Sequence, residues 1–309
     1  MNWPHKDLIG IADLAAGEIE TILDMTPSFK EISQRDIKKV PTLRGKTVVL
    51  LFYEASTRTR LSFEIAAKRL SADTVAISQS GSSFEKGETM LDAAKNIMAM
   101  NPDCIVIRYP YAGTVARLAR IMPCSVLNAG DGFHEHPTQA LLDMYSMREH
   151  FGTLTGLHVV MVGDIRHSRV ARSNAYGLTK MGARVTLVAP QTLLPPGVAS
   201  WGVEVSTAFD PVIPSADVIM MLRVQKERIA EHLFSGDREY ASFYGLNQQR
   251  MQRMKKHAVI MHPGPMNRGV EINHDTADSP RAIILNQVEN GVAIRMTLLY
   301  LCLGGSNVD

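Results

Sequence analysis

Short runs of apolar and β-branched residues recur along almost the whole chain, each followed by a stretch with helical spacing. That alternation narrows the fold more than any other feature. In the first half the runs lie at 47–53, 74–78, 104–109 and 125–128; in the second they lie at 157–162, 184–189, 217–222, 258–262 and 281–285. Runs such as Val48-Val49-Leu50-Leu51-Phe52-Tyr53 have no polar alternation, which suits strands buried on both faces of a parallel sheet. Between the halves a helical pattern near 138–151 runs into Gly152 and Gly156, and the domain change is expected there. A last helix, patterned from about residue 291 to 303, closes the chain and is expected to pack back on the first domain. The reading is an α/β fold of two doubly wound parallel-sheet lobes, with the active site in the cleft between them. The first lobe is expected to span 1–150 with a C-terminal helix of about 288–309, and the second 151–287.

Composition excludes more than it identifies. Hydrophobic residues make up 45% of the 309 and charged residues 21%, the balance of a globular chain and not a disordered one. A net charge of +2 gives no global pull toward nucleic acid or acidic membranes, so neither is expected as a partner. Cys104, Cys124 and Cys302 show no CxxC or Cys/His ligand spacing and are expected to be buried reduced thiols in a cytoplasmic protein. The first residues carry no apolar signal core, and no apolar stretch reaches the length of a membrane span.

The chemistry sits in polar segments at strand ends. The run 47–53 empties into Ser56-Thr57-Arg58-Thr59-Arg60, after which Phe63, Ala66, Ala67 and Leu70 recur at helical spacing. At such a corner the first helical N–H groups lack partners and the positive end of the helix dipole attracts anions. A simple N-cap would explain the hydroxyls but not two interleaved guanidinium groups, so the segment reads as a phosphate site. Ser82 and Lys86 lie in a polar loop bounded by Gly81 and Gly87, and Arg108 closes the strand 104–109. After 125–128, Gly130 and Gly132 permit tight turns, and His136 and Gln139 flank a helix start with Pro137 in its first turn. Both side chains can bond a small amide or carbonyl. A metal site from His134 and His136 lacks a third ligand of convincing spacing.

In the second half, Gly163-Asp164-Ile165-Arg166-His167-Ser168-Arg169 follows a strand without the G-x-G-x-x-G spacing of a dinucleotide site. Arg169 at the helix start suits a carboxylate better than a cofactor. Arg223 and Gln225 alternate to one side of an extended chain, and His262-Pro263-Gly264-Pro265 is a rigid turn in which Gly264-Pro265 is a candidate cis bond. Arg58, Lys86, Arg108, Arg169 and Arg223 together call for a small, multiply anionic ligand set with both phosphate and carboxylates.

These segments, in this order, resemble the aspartate/ornithine carbamoyltransferase family nearly end to end. The matching motifs are Phe52-x-Glu54-x-Ser56-Thr57-Arg58-Thr59-Arg60, Lys86-Gly87-Glu88-Thr89, His136-Pro137-Thr138-Gln139-Ala140-Leu141-Leu142-Asp143 and Gly163-Asp164 through Arg169. Arg223-Val224-Gln225-x-Glu227-Arg228 and His262-Pro263-Gly264-Pro265-x-Asn267-Arg268 complete the set. The resemblance implies transfer of the carbamoyl group of carbamoyl phosphate to the amino group of L-aspartate, giving N-carbamoyl-L-aspartate and phosphate, a step of pyrimidine biosynthesis. It makes 1–150 the carbamoyl phosphate-binding domain and 151–287 the aspartate-binding domain. It assigns Ser56, Thr57, Arg58, Thr59 and Arg108 to the phosphate. Arg108, His136 and Thr59 would polarise the carbonyl, and Gln139 with the main-chain carbonyls of Gly264 and Pro265 would hold the carbamoyl amide. Arg58, Thr59, Arg108 and His136 are the catalytic set. Lys86, Arg169, Arg223 and Gln225 would bind aspartate, with Ser82 and Lys86 supplied by a neighbouring subunit. That sharing implies a homotrimer; larger assemblies with regulatory chains or a dihydroorotase stay open. No cofactor is expected.

The ornithine-using relative carries Cys-Leu-Pro after the histidine and an Asp-x-x-x-Ser-Met-Gly segment, neither of which stands here. Arg223 and Lys86 would repel a second cationic amine and attract a β-carboxylate, so aspartate is favoured. Three other readings stand beside this one: a carbamoyltransferase for another amino acid, a partner-binding scaffold without activity, and a nicotinamide oxidoreductase weakened by the missing glycines.

Overall fold

The apolar runs become the strands of two parallel sheets. The structure, a computed structural model, describes residues 3–78, 89–225 and 236–304. Its described residues up to Leu141 and from Glu289 onward form one compact unit, and those of Leu142–Val288 form a second.

The first unit opens with helix α1 (Ala16–Gln34). It continues through β1 (Thr47–Phe52), α2 (Thr57–Arg69), β2 (Asp73–Ser78), α3 (Met90–Ala99), β3 (Cys104–Tyr109), α4 (Thr114–Ile121) and β4 (Ser125–Asp131), and enters α5 (Pro137–Phe151). Four parallel strands lie in the order β2-β1-β3-β4 among the described residues. Val48, Leu50, Leu51, Ile105, Val106, Ile107, Val126 and Leu127 are all fully buried, as expected for strands covered on both faces. Ahead of α1, Leu8 pairs in parallel with Leu127 and exchanges backbone hydrogen bonds with Val126 and Asn128 at 3.0 and 2.9 Å, extending the sheet beyond β4.

The second unit runs β5 (His158–Val162), α6 (Arg169–Lys180), β6 (Arg184–Val188), β7 (Glu204–Ser206), β8 (Val218–Met221), α7 (Asp237–Tyr244), α8 (Gln248–Gln252), β9 (Val259–Met261) and α9 (His274–Ala277). Its parallel strands take the order β7-β6-β5-β8-β9. Val160, Val162, Ile219, Met221 and Ile260 pack with Phe209, Ile213 and Ile272 as its core. Last comes α10 (Ile284–Leu303), whose start belongs to the second unit and whose remainder belongs to the first. In the first unit α10 meets α1 through Thr297 and Thr26 hydroxyls at 3.2 Å and through the Tyr300 and Phe29 rings, 5.5 Å apart. Its Arg295 lies over the Phe63 ring and donates to Thr138 Oγ1.

Two expectations are corrected. Residues 281–285 form no strand: Ala282 makes a single bridge to Ile260, and a helix begins at Ile284. A short apolar run such as Ala282-Ile283-Ile284-Leu285 reads equally as buried strand or helix, and here it is the entry to α10. Strand β7 was not anticipated, because its residues are exposed or half-buried and offer no apolar run; a forked Arg184–Glu204 pair clasps it to β6 instead. Cys104 and Cys124 are buried and Cys302 half-buried, none in a disulfide. Burial raises all three thiols, Cys302 to about 12, so they stay protonated.

Both sheets reverse their winding once, at β1/β3 in the first and at β5/β8 in the second. In open parallel sheets the carboxyl ends of strands at such a reversal are where ligands bind.

Candidate active site

In the first unit the polar segments follow the carboxyl ends of β1, β3 and β4, which are neighbours in the sheet. Helix α2 begins at Thr57 with Ser56 as its N-cap, and no acidic residue stands in its first turn. The cap hydroxyl makes no bond to the helix, so the turn's N–H groups are not capped by that side chain. Thr59 is buried and Ser56 half-buried, while Thr57 and Arg58 are exposed. This corner has the polarity that a phosphate requires.

Arg108 sits beside Phe52 in the sheet register. Its Nη2 donates to Glu54 Oε1 at 2.6 Å and its Nη1 to the Ala129 carbonyl at 3.2 Å, so the segment after β1 and strand β4 both fix the guanidinium. His136, 4% exposed, is set just before α5: its carbonyl accepts the N–H groups of Gln139 (3.0 Å) and Ala140 (3.2 Å). The turn leading to it needs Gly132, whose φ is +53° and where a Cβ would stand 2.6 Å from the Ala112 nitrogen. His134 faces Asp131 Oδ2 at 3.3 Å, and among the described residues no group of three or more His, Cys, Asp or Glu is arranged to hold a metal ion.

In the second unit Gly163 follows β5 with φ +145° and lies so close to the residue after β8 that a Cβ would overlap the Leu222 main chain. The next residue, Asp164, is fully buried and accepts from His167 N–H (3.1 Å), His167 Nδ1 (2.9 Å) and the Gln225 N–H (3.4 Å). Burial pushes its carboxyl above the ordinary value, with His167 opposing that shift. Ser168 caps α6 by accepting the Ala171 N–H, which places Arg169, 5% exposed, at the first helical position. Arg223 and Gln225 are half-buried on either side of buried Val224, the alternation expected of an extended chain, and Gln225 Nε2 donates to the His167 carbonyl at 2.9 Å.

The Gly264-Pro265 bond is cis. His262 Nδ1 accepts the Gly264 N–H at 2.8 Å, so the ring proton resides on Nε2 and is donated to Glu271 Oε1, 3.1 Å away. Glu271, fully buried, also accepts the Asn267 N–H, and Asn267 Nδ2 reaches the Val224 carbonyl at 3.4 Å. The turn bearing Gly264 and Pro265 is thereby tied to the segment bearing Arg223 and Gln225.

The structure thus groups Ser56, Thr57, Arg58, Thr59, Arg108, His136 and Gln139 at the carboxyl ends of neighbouring strands of the first unit, and Arg169, Arg223, Gln225, Gly264 and Pro265 at the carboxyl ends of neighbouring strands of the second. Ser82 and Lys86, and the motif residues Glu227 and Arg228, lie outside the described residues. Of the organising carboxylates, Glu54 and Asp164 stand in the motifs quoted from the sequence but were given no role there, and Glu271 was not singled out. For Glu54 a signal existed, an acid placed just ahead of a basic cluster; for Glu271 none did.

Comparison with known proteins identifies the family. Residues 6–149 match the carbamoyl phosphate-binding domain of aspartate/ornithine carbamoyltransferases, and residues 155–302 match their aspartate/ornithine-binding domain. The chain is 58% identical to the aspartate carbamoyltransferase catalytic subunit of Geobacter sulfurreducens over 99% of its length and 98% of the relative. Among solved structures, aspartate transcarbamoylase from Trypanosoma cruzi in complex with carbamoyl phosphate and aspartate superposes with a TM-score of 0.87 at 28% identity, covering 96% of each chain. Ornithine carbamoyltransferase from Pyrococcus furiosus gives 0.85 at 30% identity, over 99% of this chain and 100% of that one. Matched in both halves and along its length, the chain belongs to the aspartate/ornithine carbamoyltransferase family.

Proposed function

We infer that the chain transfers the carbamoyl group of carbamoyl phosphate to L-aspartate, giving N-carbamoyl-L-aspartate and phosphate, the carbamoylation step of pyrimidine biosynthesis. One observation carries the reading: a helix N-terminus without a first-turn acid, bearing Ser56, Thr57, Arg58 and Thr59 after a switch-point strand, in a chain 58% identical to a catalytic subunit of that name.

Residues 1–150 act as the carbamoyl phosphate domain and 151–287 as the aspartate domain, a division supported by the descriptions of the two matched family domains. Ser56, Thr57, Arg58, Thr59 and Arg108 hold the phosphate. Gln139 and the Gly264 and Pro265 carbonyls hold the carbamoyl amide. Arg169, Arg223 and Gln225 take the carboxylates of aspartate, with Lys86 and Ser82 reaching in from a neighbouring subunit of a homotrimer. The neutral α-amino group attacks the carbamoyl carbon, and the oxygen that gains charge meets donors from Arg108, His136 and Thr59. Such donors, fixed before the reaction begins, are commonly worth ~10²–10³ in rate each. Phosphate then departs and can itself take the amine proton, so no protein base is invoked. Much of the acceleration comes from orienting two charged reactants. A biosynthetic role of this kind is one for the cytoplasm. No helix among the described residues is long and apolar enough to cross a membrane.

Product formation from carbamoyl phosphate with aspartate and with ornithine tests the reading. Carbamoylaspartate should form and carbamoylornithine (citrulline) should not. Turnover of ornithine equal to that of aspartate, or no product from either, overturns it.

A further inference from the structure

The N-terminal strap and the loop after β4 are joined by a buried carboxylate next to His136. Glu135 is 1% exposed. Its Oε2 accepts the Ile11 N–H at 2.7 Å and its Oε1 the Ala12 N–H at 3.2 Å. Its own carbonyl accepts the Asp131 N–H at 3.0 Å and lies 3.5 Å from Asn128 Nδ2, which also donates to the Ile9 carbonyl at 2.7 Å. Just upstream, Asp7 Oδ1 accepts the Val126 N–H at 2.8 Å, and Leu8 pairs with Leu127. From Asp7 to Ala12 the strap is therefore anchored on β4 and on the loop that delivers His136.

Gly10 shows that the fit is specific. Its φ is not positive, so the backbone does not demand glycine there. Space does: a Cβ would collide with Glu135 Oε1 and stand 3.0 Å from Cδ. A flexible glutamate could normally swing away, but two backbone N–H groups hold this one. An apolar tie would join strap and loop at a lower desolvation cost than a carboxylate. What the carboxylate adds is direction, since its two oxygens fix the register of two successive N–H groups.

We propose that Glu135 is a positioning residue for the reaction: seated on Gly10, Ile11 and Ala12, it sets the approach of the His136 imidazole to the carbamoyl oxygen. One peptide bond separates the clamp from His136, whose carbonyl is already committed to the first turn of α5. The proposal rests on the reading of His136 as a carbonyl-polarising group.

Steady-state kinetics of the full-length chain test it with E135Q, E135A, G10A, G10A/E135A and the control H136A. E135Q and G10A should each lower kcat on the order of 10- to 100-fold, the penalty of a displaced catalytic group, with the KM for aspartate nearly unchanged. The double variant should be no worse than E135A, because the added methyl then meets no carboxylate. The imidazole NMR signals of His136 should shift in E135Q. If E135A does not fold, E135Q and G10A carry the comparison, assayed at temperatures where circular dichroism reports native protein. Wild-type kcat in E135Q and G10A alongside an inactive H136A overturns the proposal alone, as does a loss confined to thermal stability. A fully active H136A overturns the assignment of His136 and this proposal with it.

Discussion

Arg108 shows how a single side chain acquires its role from its setting. A guanidinium at a strand end is ordinary; one held by Glu54 at 2.6 Å and by a carbonyl of the next strand is already oriented before any ligand arrives. His136 and Arg58 are expected to behave as donors that matter in the transition state. H136A and R58A should therefore lose ~10²–10³ in kcat, measured by product formation, with their thermal midpoints close to wild type. Gly163 makes a different demand. G163A would force a side chain into a left-handed conformation and against the Leu222 main chain, and should cost at least about 2 kcal/mol in urea unfolding. At this scale the sequence made legible the placement of polar side chains beyond strand ends, as at Thr59, His136 and Arg169. It was silent where a partner comes from afar. Glu135 meets Ile11 across 124 positions, and nothing in the neighbourhood of either residue announces the other.

Elements were legible in proportion to their burial. The central strands stand out because both faces are covered, so every position after the first is apolar, whereas β7 is held by charge at an open edge and leaves no such trace. The misread run at 281–285 fails for a related reason: four apolar residues are too few to show a period. The opposite ends of the strands carry a stabilising device. Asp217, at the start of β8, accepts from the His158 N–H (2.9 Å), Lys255 Nζ (2.7 Å) and His257 Nε2 (2.9 Å), which ties β5 to β8 and to the residues leading into β9. Burial alone would raise this carboxyl, but those donors outweigh it and bring it from 3.8 to about 2. A depressed carboxyl stabilises above its unfolded value and loses that contribution as pH falls through the folded one. D217N should thus be about 2 kcal/mol less stable near neutrality. The gap between the two proteins should narrow as pH falls from about 4 to about 2, followed by urea titrations at each pH. A gap that stays constant through this window would contradict the assignment.

At the scale of the whole molecule, two predictions separate assembly from chemistry. Sedimentation should give the mass of three chains, and R58A should sediment like wild type, because its defect lies in the reaction. Lys86, outside the described residues, is expected to serve a neighbour's site. Chains carrying K86A mixed with chains carrying R58A should therefore regain activity at sites that combine an intact Arg58 with an intact Lys86. No recovery after co-refolding would count against shared sites. The two-lobed plan was readable from the rhythm of strands and helices, but the partition of α10 was not, since one continuous helical pattern hides the point where its allegiance changes. That partition has a consequence for biogenesis. The first unit's strands leave the ribosome early, yet Ile294, Met296, Leu298 and Leu299, all fully buried, arrive only after the whole second unit has been made. Vectorial synthesis should thus let the later lobe, encoded without interruption, mature while the earlier one waits half-built, its greasy seam in need of a chaperone until the final helix is translated.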